Sequence, residues 1–118
     1  MTTAPDLTRL TAAQMAEGLA AGEFTSVELT QAHLDRIAAL NPVLNAFLQV
    51  DTEGALATAA DVDAARAAGE QLPRLAGVPI AVKDIACTEG IPTTAGSKTL
   101  EGWIPPYDAT IVTRLKAE

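Results

Sequence analysis

At 118 residues the chain is one domain at most, with room for a modest core. A net charge of −7 and the lack of any run of lysine or arginine exclude the basic patch of a nucleic-acid binder, because phosphate contacts dominate such affinity. Apolar residues make up 48% of the chain but lean on alanine, and the aromatics are Phe24, Phe47, Trp103 and Tyr107; this scarcity of bulky core material fits a piece of a larger α/β protein.

In chain order, Met1-Thr2-Thr3-Ala4-Pro5-Asp6 lacks the basic start and apolar run of a secretory leader. No apolar stretch approaches membrane-spanning length, so the chain reads as cytoplasmic with no membrane partner. Thr11-Ala12-Ala13-Gln14 has the form of a capping box, with Gly22 as the stop of the helix it opens. A second box, Thr25-Ser26-Val27-Glu28, opens a helix expected to end near Leu40, before Asn41-Pro42, since a residue preceding proline resists the α region. Glu28, Gln31 and Asp35 fall on the polar side of that helix, and Val27, Thr30, Leu34 and Ile37 on the other. His33, the sole histidine, lies on the margin with no partner near in sequence and reads as a partly buried, hydrogen-bonded structural residue.

Residues 45–50 read as a short strand anchored by Phe47. An alanine-rich helix over 53–68 follows, with Asp51 or Thr52 as cap and Gly69 as stop. A linker over 70–76 leads into a second strand, 78–83, where Pro79 is compatible with a strand start. The density of Gly, Pro and Thr from 88 to 106 implies a long ordered loop, of the kind usually tied to function. Asp108 is placed to cap a last helix over 109–116, with Ile111, Val112 and Leu115 on one face. Cys87, the one cysteine, excludes an intrachain disulfide and a Cys-rich metal site and is expected to be a small buried side chain. The order helix, helix, strand, helix, strand, loop, helix is α/β.

The chemistry concentrates in Gly77-Val78-Pro79-Ile80-Ala81-Val82-Lys83-Asp84-Ile85-Ala86. A lysine at the lip of a buried sheet loses water, and desolvation disfavours the charged amine, the condition for a lysine base. The plainer alternative is a strand whose last side chain points into solvent. Asp84, on the opposite side of an extended chain, is placed to fix the loop that follows rather than to react.

With Cys87-Thr88-Glu89-Gly90-Ile91-Pro92-Thr93-Thr94-Ala95-Gly96-Ser97-Lys98, Leu100-Glu101-Gly102-Trp103 and Pro105-Pro106-Tyr107-Asp108-Ala109-Thr110, this stretch resembles the amidase signature family, and within it the glutamyl-tRNA(Gln) amidotransferase branch. The sequence departs from that pattern at Ile85-Ala86. The resemblance implies an α/β fold: the N-terminal segment of a layered α/β/α architecture around a mixed sheet, truncated at 118, helical over 1–40 and α/β over 45–118. It implies a Ser–cis-Ser–Lys triad in which Lys83 is the lysine and both serines lie on a Gly/Ser-rich stretch downstream. The only serines here, Ser26 and Ser97, stand in no such context, so the chain alone is expected to be inactive. The implied parent hydrolyses glutamine and passes ammonia to other amidotransferase subunits, which use ATP and Mg to amidate mischarged glutamyl-tRNA. The tRNA would be held by the complex rather than by this segment, and no P-loop or dinucleotide fingerprint occurs here. Two other readings stay open: a fragment of another amidase-signature amide hydrolase, and a stand-alone binding module without catalysis.

Overall fold

Two threonine boxes set the start of the first two helices. In the computed structural model, which describes residues 6–118, Thr11 precedes α1 (Ala12–Ala21) and Thr25 precedes α2 (Ser26–Leu44). The Gln14 amide donates to Thr11 Oγ1 at 3.2 Å, and the Thr11 amide donates to Gln14 Oε1 at 2.9 Å. Thr25 and Glu28 repeat the exchange at 3.1 and 2.8 Å. Each box thereby satisfies amides that a helix start leaves without a partner. Gly22 closes α1 in the left-handed region at φ 72°, as expected of the stop. Two further helices, α3 (Thr52–Ala67) and α4 (Thr110–Lys116), and 3₁₀ turns at Leu7–Arg9 and Lys98–Leu100 complete the regular structure. The reading of the N-terminus as leader-free rests mainly on residues 1–5, which lie outside the described residues.

The chain divides into two units. The first runs to Phe47 and takes in Thr52–Pro79; the second comprises Leu48–Asp51 and Ile80–Glu118. In the first unit Met15, Leu19 and Leu29 are buried, with Leu7, Leu10, Phe24 and Val78 packed against them. The Phe24 ring presses on α1 at Gly18, where a Cβ would come within 2.4 Å of two ring carbons. Glycine inside a helix costs about 1 kcal/mol relative to alanine, and here that cost admits a large aromatic side chain to the core. On α2, Ser26, Leu29 and Thr30 are buried while Glu28, Gln31 and Asp35 lie towards solvent, in keeping with the polar side read from the sequence. Helix α3 packs on α2 and buries only Ala59 along its length.

Three expectations about the end of α2 and the two strands are corrected. Helix α2 does not stop before Asn41-Pro42 but continues to Leu44, capped by Asn45 at φ 51°. Pro42 forgoes one helical hydrogen bond, and the Asn41 side chain holds the emerging chain by donating to Phe47 O at 2.9 Å and accepting from Phe47 N at 2.8 Å. The same grip removes the strand expected at 45–50. A left-handed Asn45 breaks the extension, and the Phe47 amide and carbonyl that a ladder needs are already engaged. The strand expected at 78–83 is also absent: the Val78 amide turns back to Leu75 O at 3.0 Å, and Pro79 has no N–H to offer. Among the described residues there are helices, turns and one isolated bridge between Thr88 and Ile91, but no sheet. A strand exists through its partners, and two short apolar runs supply none for each other here.

The expected long ordered loop is present in the second unit and is tied by its own backbone. Gly90 N donates to Pro105 O at 3.1 Å and Thr93 N to Trp103 O at 3.2 Å, and both Thr93 and Pro105 are buried. Asp108, however, does not cap α4. The N-cap is Ala109, without a side-chain bond. One residue further out, the Asp108 carboxylate instead accepts from Glu89 N at 2.7 Å and Lys116 Nζ at 2.6 Å. Of the apolar trio on α4 only Val112 is buried.

Candidate active site around Lys83

Lys83 ends the apolar run 78–83 and is exposed. The sheet lip that was to strip its water is not built by the described residues. Its carbonyl accepts from Ala86 N at 2.9 Å, so the chain turns directly after it.

The next residue is bound far more heavily. The Asp84 carboxylate accepts from Thr94 Oγ1 at 2.5 Å, Thr94 N at 2.9 Å and Gly96 N at 3.4 Å, and its carbonyl accepts from Ala95 N at 2.8 Å. The Thr94 hydroxyl, then the Thr94 amide, hold the Asp84 carboxyl below the ordinary carboxylate value, with smaller help from the Gly96 amide and the Lys83 charge against the opposing effect of burial. This fulfils the expectation that Asp84 fixes the following loop. The segment it holds is a tight turn closed by Ser97 N to Thr94 O at 2.8 Å, with Ala95 at φ 50° and Gly96 at φ 67°. Glycine enters that region freely; an alanine there costs about 1 kcal/mol. The turn is therefore maintained by Asp84 against the local preference of Ala95.

Cys87 is half-buried rather than fully buried, with its Sγ 3.7 Å from the Tyr107 hydroxyl at the surface of the loop. That contact pushes the Tyr107 hydroxyl above its usual value. The Cys87 carbonyl receives Ala109 N at 2.8 Å, and with the Asp108 pair this docks the start of α4. His33 belongs to the first unit, half-buried with Nδ1 2.8 Å from Leu29 O, the structural histidine expected.

Neither serine is presented as a nucleophile. Ser97 Oγ accepts from Thr99 N at 3.2 Å as the cap of a 3₁₀ turn. Ser26 is buried, and its Oγ donates to Gly77 O at 2.9 Å. Sequence patterns do not single out Asp63, whose carboxylate accepts from Ser26 N at 2.8 Å and Val27 N at 3.0 Å at the start of α2. No local signal could reveal it, since it caps from another helix. Nor do they pair Thr94 with Asp84, although Thr-Ala-Gly is a turn signal in its own right. Among the described residues no group of three His, Cys, Asp or Glu could hold a metal ion, and no helix is long and apolar enough to cross a membrane.

The Amidase family model matches residues 28–118, a span that holds Lys83, Asp84 and the whole of the tied loop. The chain is 62% identical over 112 residues to a glutamyl-tRNA(Gln) amidotransferase subunit from Salinispora tropica, covering 95% of this chain and 23% of that protein. It is likewise 62% identical over 112 residues to the protein of the same name from Streptomyces coelicolor, covering 95% of this chain and 22% of the relative. The chain thus spans about a quarter of the length of these relatives. Among solved structures, it superposes with a TM-score of 0.87 and 38% identity on a chain of a structure described as "An unexpected vestigial protein complex reveals the evolutionary origins of an s-triazine catabolic enzyme", covering 92% of this chain and 24% of that one. With the family pattern running through most of its length and through the residues around Lys83, the chain belongs to the amidase family.

Proposed function

We propose that this chain is the N-terminal part of the glutamine-hydrolysing subunit of a glutamyl-tRNA(Gln) amidotransferase, and that Lys83 is the base of its hydrolytic site. The observation that carries the reading is 62% identity over 95% of the chain to subunits of that amidotransferase, against 38% to the triazine-related structure. In the complete protein the apolar run 78–83 joins a mixed sheet as a strand, and the remainder of the fold covers Lys83. A neutral Lys83 amine then takes a proton from a bridging serine, which activates a nucleophilic serine to attack the glutamine carboxamide. Ammonia leaves, and water releases glutamate from the acyl-enzyme. Partner subunits consume the ammonia with ATP and Mg and hold the tRNA, in keeping with the acidic character of this segment. The assembly works in the cytoplasm, and the 118-residue chain alone, carrying only the lysine of the triad, is inactive.

The test is substitution of Lys83 in the complete protein within its complex. Lys83→Ala removes the base and Lys83→Arg supplies one that stays protonated, so both abolish glutamine-dependent amidation, while free ammonia restores it. A Lys83→Arg enzyme with near-normal glutaminase turnover would show the lysine to be structural.

A further inference from the structure

The residue beside Lys83 is held at both its side chain and its carbonyl. Four donors from three consecutive residues, Thr94, Ala95 and Gly96, converge on Asp84 alone. They tie together positions ten apart, Asp84 and Thr94, and support a turn in which Ala95 sits at φ 50°, a conformation that costs an alanine about 1 kcal/mol. Strain retained by over-determined contacts tends to gather where geometry matters to function. On the other side, the Lys83 carbonyl is held by Ala86 N at 2.9 Å. The main chain is thus held at the carbonyls of both Lys83 and Asp84, and the Asp84 side chain is held as well, while the lysine side chain is exposed.

We infer that Asp84 is a positioning residue for the Lys83 reaction: by clamping the Thr94–Gly96 turn it fixes the main chain from which the lysine projects. The inference rests on Lys83 being the base proposed above. A lysine stem is flexible, so the placement of its backbone root decides how often the amine meets its target. A displacement of about 1 Å at a reacting group can cost on the order of a hundredfold in rate.

The experiment measures steady-state glutaminase kinetics and thermal midpoints in the complete protein for Lys83→Ala, Asp84→Asn, Thr94→Val, Thr94→Ser and, as a structural comparison, Asp63→Asn. Asp84→Asn keeps one acceptor and should lower kcat about a hundredfold with KM for glutamine within about twofold, the pattern of an interaction expressed in the transition state. Thr94→Val should lose on the order of tenfold in kcat, and Thr94→Ser, which keeps the hydroxyl, should restore it. If Asp84→Asn fails to fold, the Thr94 pair decides alone. Wild-type kcat in folded Asp84→Asn or Thr94→Val, or a loss no greater than that of Asp63→Asn at a matched thermal midpoint, overturns the inference. Full activity in Lys83→Ala overturns the proposed function first and the inference with it, a result distinct from an inactive Lys83→Ala beside an active Asp84→Asn.

Discussion

Gly77 shows how a single residue can be held by two unrelated constraints. Its φ of 92° is one that side-chain-bearing residues rarely adopt, and a Cβ would lie 2.9 Å from Ser26 Oγ and 3.2 Å from Val62 Cγ1. Its carbonyl meanwhile accepts the Ser26 hydroxyl. Gly22 has a similar φ of 72° but nothing within 4 Å of a built Cβ. Alanine at Gly22 should therefore cost only the conformational penalty, about 1 kcal/mol, whereas Gly77→Ala adds steric displacement and should cost about 2 kcal/mol or more. Thermal loss of helical circular dichroism ranks the two, and equal midpoints would mean the Ser26–Gly77 contact gives way freely. The site is legible in the sequence at this scale where its cause is local: Lys83 and Asp84 follow from adjacent residues and the turn signal after them. Asp63 is not, because its partners lie 37 and 36 residues away along the chain. Asp108 misleads because a carboxylate just before a helix usually caps it, and here a loop amide and Lys116 compete successfully.

At the level of elements, legibility again tracks the range of the interaction. Both capping boxes span four residues and are readable in full, including their reciprocal bonds. The end of α2 is not, because the helix runs through Pro42 and Asn41 bonds to Phe47 six positions on, a side-chain contact that no helix-stop rule contains. The two short apolar runs read as strands, but such runs report a tendency to pair and not the presence of a partner. Helix α4, only seven residues long, depends on docking rather than on its own propensity. The Lys116 ammonium, then the Glu89 amide, hold the Asp108 carboxyl below its ordinary value of 3.8. A lowered carboxylate favours the folded state wherever it is ionised. Its contribution is complete above pH 3.8 and is lost as pH falls through the lower folded value. An NMR titration following the Glu89 amide should give a midpoint below 3.8, and Lys116→Met should move it upward. A midpoint at or above 3.8 in the unmodified chain would show that the Asp108 bonds do not persist in solution.

For the molecule as a whole, the distribution of apolar surface matters more than its amount. The first unit closes a small core around Leu19 and Leu29, 1% and 0% exposed. The second buries Val112, Thr93 and Pro105 but leaves Ile80, Val82, Ile85, Ile104 and Ile111 exposed, several of them in or beside the run that the sequence marks as a strand. Ile80, Val82 and Ile85 lie within six positions of one another, and an apolar patch formed there would be a site for a further interaction. Helical structure in the first unit has caps and a core of its own, whereas the loop and short helix of the second depend on polar clamps at Asp84 and Asp108. The 118-residue chain on its own should accordingly keep strong helical circular dichroism, bind a dye for exposed apolar surface, melt over a broad range and grow in apparent size with concentration. The net charge of −7 opposes association, so added salt should increase the apparent size further. Supplying the remainder of the protein as a separate chain should quench the dye and sharpen the melt, because a paired 78–83 run would place its isoleucine and valine side chains against neighbours. A sharp, cooperative melt from a monomer at every concentration, with no dye bound, would mean that these side chains are satisfied within the 118 residues. The chain would then have to be understood as a module that stands alone rather than as one part of an amidase fold.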